Sequence, residues 1–180
     1  MLISEETIEK INLLIQSMFN HNRTLDRFLG YADAEWSFVN FNKVFHNGYA
    51  HLMPLIADKL SDILLRYNIA PKYYETKRDE RVYDTMLDFF NTNLNEHIKT
   101  YDLIKDAINI ATLNGDLNVE ADLKAILRMW NKFMSQAILL RDKAEVYGDN
   151  KAMFDEFCEQ FYILQDEYNL LNGIENNDND

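Results

Sequence analysis

Four histidines, thirty acidic residues and a single cysteine are the side chains of this 180-residue sequence with obvious chemical potential. His51, Asp58 and Asp62 are spaced by seven and eleven residues from the first. On a helix those spacings bring the three within about 40° of one face. Imidazole with carboxylate suits iron, manganese or zinc. His46 lies on the flank of the apolar seam of the same stretch, near Met53, Ala57 and Leu64. It offers a further donor from the bundle side. The competing readings are a solvated face of ordinary acids and a half-buried His46 satisfied by one hydrogen bond. His97 falls on a core seam, four residues before Tyr101. With Asn22, polar on another seam, it suggests a buried structural pair that fixes register. No histidine has a glutamate three residues before it. Cys158 is followed by Glu159 and has no cation nearby to activate a thiolate. No Gly-rich phosphate loop and no CxxC motif occurs. Asp102 and Asp106, at i and i+4, read as solvated surface or as the lining of an acidic pore.

Apolar spacing identifies the elements that carry these residues. In 80–113, Tyr83, Leu87, Phe90, Leu94, His97, Tyr101, Ile104, Ile108 and Ala111 step by four and three, one face of a long helix ended by Asn114-Gly115. Val119, Leu123, Ile126, Trp130, Phe133, Ala137, Leu140, Ala144 and Tyr147 repeat the pattern, with Asn118 as N-cap and Gly148 as stop. Phe154, Phe157, Phe161, Leu164, Tyr168 and Leu171 predict a short fifth helix over 150–172. Earlier, Ile8, Ile11, Ile15, Met18, Asn22, Leu25, Leu29, Ala32 and Trp36 form one seam, with a break expected near Val39–Asn42. A second helix runs to about Asn68 on Phe45, Tyr49, Leu52, Ile56, Leu60, Ile63 and Tyr67, kinked at Pro54. Residues 69–79, with Pro71, form the one substantial connection. No long period-two run suggests a strand.

Four long amphipathic helices bury their stripes best as an antiparallel bundle, so the expected fold is all-α with a crossover between the second and third helices. One domain is expected over 1–173, followed by a disordered acidic tail at 174–180. Eighteen basic against thirty acidic residues give a net charge of −12. That balance, with no basic stripe, argues against nucleic-acid binding. No apolar stretch is long enough for a membrane span. MLISEETIEK lacks the basic-then-apolar pattern of a secretory signal. One cysteine permits no intrachain disulfide, which fits a reducing cytoplasm.

The layout of two long helices, a crossover, two more long helices and a short fifth resembles the ferritin-like superfamily. Two segments are similar to its starvation-induced mini-ferritin (Dps) branch. Residues 96–144 resemble that branch's third and fourth helices, including Glu96-His97 and a short acidic loop, and ADKLSDILLRYNIAP at 57–71 resembles the proline-bearing exit of its second. Glu35-Trp36 falls where the branch has His-Trp. The resemblance implies a homo-oligomeric cage of twelve or more subunits that takes up, oxidises and stores iron, with ligands shared between subunits. Carried over from Glu35, the ligand pattern falls on Glu35, Asn47, His51, Asp62 and Arg66. Carried over from the proline exit, it falls on Tyr31, Lys43, Asn47, Asp58 and Asp62. The combined candidate set is Glu35, His46, His51, Asp58 and Asp62, giving a ferroxidase if it is functional. The alternative is a bundle that keeps the fold as a structural or interaction subunit, because Lys43, Asn47 and Arg66 stand at ligand positions.

Overall fold

The residues that cannot continue a helix decide where this chain turns. The computed structural model describes residues 2–174, and no strand forms among them. α1 (Glu5–Trp36) starts on Ser4, whose hydroxyl accepts from the Thr7 N–H. It stops at Ser37, which takes a left-handed conformation (φ 57°) while its N–H and that of Phe38 bond back to the last turn. The expected break at 39–42 therefore falls slightly earlier, and a short α2 (Val39–Phe45) follows. A π-helical turn (His46–Ala50) joins α2 to α3 (Leu52–Leu65). α4 (Met86–Leu113) and α5 (Leu117–Tyr147) form the second long pair. Beyond Gly148 come α6 (Lys151–Phe157), a 3-10 turn (Cys158–Phe161) and α7 (Gln165–Leu171).

The contacts give the topology. Along α1, Asp26 faces His46, Asn22 faces Ala50, and Asn12 meets Lys72, so α1 and α3 run antiparallel. His21 faces His97 and Ser17 faces Thr100, so α1 and α4 are antiparallel too. α3 and α4 then point the same way, and the chain between them must travel the bundle's length. α4 has 28 residues and is about 42 Å long. The expected eleven-residue connection reaches at most about 36–40 Å. The structure instead uses residues 66–85, and α4 begins at Met86, capped by the Thr85 hydroxyl, rather than near residue 80. This strap is tied to α1 at successive levels. Asn12 accepts from the Lys72 N–H, Gln16 donates to the Glu75 carbonyl, Thr24 accepts from Arg81, and Tyr31 donates to the Tyr83 carbonyl. Tyr83, read as a helical seam residue, is buried as part of the strap.

One cluster of buried apolar side chains extends from Ile3 to Leu164. On α5 the expected seam from Val119 to Ala144 is buried throughout. Asp116, not Asn118, precedes the first turn of α5, and its carboxylate accepts from the Ser4 N–H and hydroxyl. The expected single fifth helix is broken at 162–164 because buried Gln136 competes for its backbone. Gln136 Nε2 donates to the Phe161 carbonyl (2.8 Å) and Oε1 accepts from the Ile163 N–H (2.9 Å). Of the expected tail only Ile174 lies within the described residues, and the rest lies outside them. Among the described residues no helix is long and apolar enough to cross a membrane.

Candidate functional site

Pro54 was expected to kink its helix, but it sits at the third position of α3, where no intrahelical N–H is required. In a continuous α-helix its N–H would have reached the Ala50 carbonyl. That carbonyl instead accepts from Asn22 Nδ2 on α1 (3.0 Å). The irregularity lies one turn earlier, where the His51 N–H bonds to the His46 carbonyl (3.0 Å), a five-residue step. Gly48 permits the close approach of Tyr162 to the turn. Tyr162 donates to the Gly48 carbonyl (2.9 Å), and a Cβ at residue 48 would lie 2.8 Å from the Tyr162 oxygen. Asp155, almost fully buried, fixes the start of α2 by accepting from the Asn40 and Phe41 N–H groups. The C-terminal elements thus hold α2 and the π-helical turn from one side, while Asn22 holds it from the other.

The turn brings His46 and His51 onto one face. Residues five apart on an α-helix diverge by about 140°, whereas a π-helical turn nearly aligns them. Their rings lie 4.2 Å apart between centroids. Both point Nε2 at Asp26 Oδ1 on α1, at 3.7 Å from His46 and 3.6 Å from His51. These separations are too long for good hydrogen bonds. They lie at or just beyond the separation of two ligands on one ion, since donors 2.0–2.2 Å from a tetrahedral centre stand about 3.3–3.6 Å apart. Asp26 Oδ1 is itself buried and has no hydrogen-bond partner, while the side chains of both histidines are 47% exposed. A buried, unpaired carboxylate oxygen flanked by two imidazoles fits a divalent cation better than any protein partner present. Among the described residues this is the one group of three or more His, Cys, Asp or Glu side chains whose ligand atoms converge within 4.8 Å.

Of the sequence candidates, His46 and His51 come together. Glu35 stands exposed on the last turn of α1, and Asp58 and Asp62 stand exposed on α3, all three outside that group. Asp26 was missed. Its only sequence signal is its place four residues after Asn22, on the α1 face that meets the π-helical turn.

The centre of the bundle has a different chemistry. His97 Nδ1 donates to the Asn93 carbonyl (2.9 Å), which leaves Nε2 to accept the Tyr49 O–H (2.8 Å). Asn93 Nδ2 donates to the phenol oxygen (3.0 Å), and Trp130 Nε1 donates to the His97 carbonyl (3.1 Å). The His97 ring stacks on Trp130 (5.1 Å), and His21 meets it edge-on (4.2 Å). The expected Asn22–His97 pair does not form, because Asn22 serves Ala50. Burial pushes His21 down to about 4 and holds His97 well below the ordinary histidine range, with His21 adding to the effect on His97. Desolvation raises Tyr49 above the usual phenol range. Ferritin-like di-iron proteins line this region with inward Glu and Glu-x-x-His groups. Here the only buried carboxylic residue among those described is Asp155, which caps α2. Cys158 is also unreactive: burial, then Asp155 and Glu159, push its thiol up to about 12.

No protein-family model and no curated protein matches the chain. Solved structures do. The open-pore ferritin of the hyperthermophilic archaeon Archaeoglobus fulgidus is similar over 91% of this chain and 99% of its own, with a TM-score of 0.82 at 16% identity. A closed form engineered from that ferritin covers 91% and 98% at a TM-score of 0.81 and 16% identity, and a humanized archaeal ferritin gives 0.78 with the same coverage and identity. This chain has the fold of a ferritin: an all-helical bundle with its long crossover between α3 and α4.

Proposed function

We propose that this protein is a ferritin-like iron-binding and iron-storage subunit that captures Fe(II) at Asp26, His46 and His51. The convergence of two imidazoles on the unpartnered Asp26 oxygen carries this reading. Two neutral nitrogens and one anionic oxygen suit Fe(II) and leave coordination positions open on the exposed side. Iron here is cargo, not a resident cofactor. Asp58 and Asp62, four residues apart on α3, and Glu35 serve as outer carboxylates that attract Fe(II) or complete a site across a subunit contact. A net charge of −12 favours cation capture. The reading includes a cytoplasmic homo-oligomeric cage. Its finer place in the Dps branch rests on residues 57–71 and 96–144.

The competing reading is a structural bundle with no oxidation chemistry, and the carboxylate-free centre favours it. Two measurements decide between them. Light scattering on metal-free protein should give about 256 kDa or more, at least twelve copies of the 21.3 kDa chain. Anaerobic Fe(II) titration followed by oxygen should show one site per chain and oxidation faster than in buffer. A monomer that oxidises iron no faster than buffer sinks storage. An Asp58→Ala/Asp62→Ala variant tests the outer carboxylates, which should slow uptake without removing the site.

A further inference from the structure

The chain carries a net charge of −12, yet one groove on its surface is rimmed by cations. α7 begins beyond the break that Gln136 holds, and it rests on α3 and the π-helical turn. Between α7, α3 and α5 lies a groove of about 460 Å³. Lys59 on α3 and Arg128 and Lys132 on α5 stand around it. Its apolar lining comes from Ala125, Ile126 and Met129 on α5 and from Leu170 on α7. Ile126 is buried, whereas Leu170 is 61% exposed, a large apolar side chain without cover.

Among the described residues none of these three cations makes an ion pair or a hydrogen bond. Pairing was available on the same helices. Lys124 of α5 pairs with Glu120, and Arg66 at the end of α3 pairs with Asp122. Glu167 is the one acid lining the groove, and it pairs with none of the three. A surplus of positive charge therefore stands beside an apolar floor. The lysine and arginine stems extend that floor while their heads stay in water.

We propose that this groove binds a medium-chain alkyl carboxylate, its tail on Ile126, Met129 and Leu170 and its headgroup held by Lys59, Arg128 and Lys132. The site is separate from Asp26, His46 and His51 and does not rest on the metal reading. Both halves of the ligand answer something on the surface. A bare inorganic anion leaves the apolar side chains uncovered, and an uncharged hydrocarbon leaves the cations unpaired. The volume falls in the range of small-molecule sites. The apolar stretch of α5 runs only from Ala125 to Met129, about 6 Å along the helix axis. A docked peptide helix spreads its anchors from i to i+7, over about 10 Å. The short floor thus favours a single alkyl chain over a helical partner. Met129 is unbranched and adapts to the shape of such a chain. Arg128 offers a planar fork that matches a carboxylate, and the two lysines add point charges.

The test is calorimetric titration of the metal-free full chain with octanoate and decanoate, both below micelle formation. One site per chain is expected. Decanoate should bind about tenfold more tightly than octanoate, the gain from two buried methylenes. Decyltrimethylammonium has a similar tail and the opposite charge, and should bind at least about tenfold more weakly than decanoate. Lys59→Gln/Arg128→Gln/Lys132→Gln should weaken decanoate by about tenfold. Ala125→Trp, at an exposed helical position, should fill the groove and abolish binding, with circular dichroism and light scattering unchanged. Decanoate that does not bind, or that binds both variants as well as wild type, overturns the proposal. So does decyltrimethylammonium that binds as tightly as decanoate, a comparison that needs no variant to fold. A change of oligomer mass in the triple variant assigns the face to a contact between copies. Binding to phosphatidylglycerol vesicles without binding of decanoate assigns it to a membrane surface. Either result also overturns the alkyl carboxylate site.

Discussion

Two pairs of histidines lie in the same bundle and differ in almost every physical respect. His21 and His97 are buried, and the His97 nitrogens are spoken for. His46 and His51 are half exposed and aim at a carboxylate oxygen with no other partner. Residue type therefore says little about role. The inner pair is held neutral by desolvation, with His97 tied into a hydrogen-bond network by Tyr49 and Asn93. The outer pair has solvent access, a local negative charge and unfilled lone pairs, which are the requirements of a cation ligand. The four histidines of the chain are thus divided by backbone geometry: regular α-helix places two in the core, and one irregular turn gathers the other two at the surface.

The contrast can be broken first at the centre. Trp130→Ala removes a fully buried indole stacked on His97 and Phe133 and should cost about 3–5 kcal/mol, read from denaturant midpoints. Metal affinity at the outer site should barely change. A second test uses pH. The folded state holds His21 near 4, below its unfolded value near 6.5, so between these values the unfolded chain binds more protons. Stability is full above about pH 6.5 and is lost as pH falls toward about 4, by on the order of 3 kcal/mol from His21, with His97 adding in the same direction. Urea unfolding at pH 7 and pH 5 measures the slope, and His21→Gln should flatten it.

The outer site responds to different changes. Asp26→Asn keeps the shape and removes the charge, and should weaken Co(II) or Fe(II) binding by about 100-fold in calorimetry, close to 2.7 kcal/mol. The thermal midpoint of metal-free protein should barely change, because the Asp26 side chain is partly exposed and its Oδ1 makes no hydrogen bond to lose. The smallest effect is expected from Tyr162→Phe, which removes one hydrogen bond to the Gly48 carbonyl. It should cost about 1 kcal/mol and reduce metal affinity by a few fold, since the turn loses one of its two supports.

The four-helix layout was legible because seams such as Val119 to Ala144 repeat over many turns, and every turn states the same periodicity. What escaped depends on contacts distant in sequence. Gln136 reaches 25 residues along the chain to split the last helix at Phe161. Arg81 and Tyr83 join the strap and not α4 because Thr24 and Tyr31 bind them. At the site, the chemistry of His46 and His51 was readable. Their meeting was not, because an α-helical projection turns residues five apart away from each other. Asp26 could not be paired with them without knowing which level of α1 faces the turn.

The π-helical turn can also be described as a matter of chain length. Relative to an ordinary α-helix it holds one surplus residue. Removing a single residue beside the pair, so that the helix runs straight and four-residue bonding returns, would leave His46 and His51 five apart on a regular helix and turn one imidazole about 140° from the other. The helices before and after could remain where they are, while the trio would lose one of its three donors. A capture site of this kind is gained or lost by a one-codon insertion or deletion, with no substitution of any ligand.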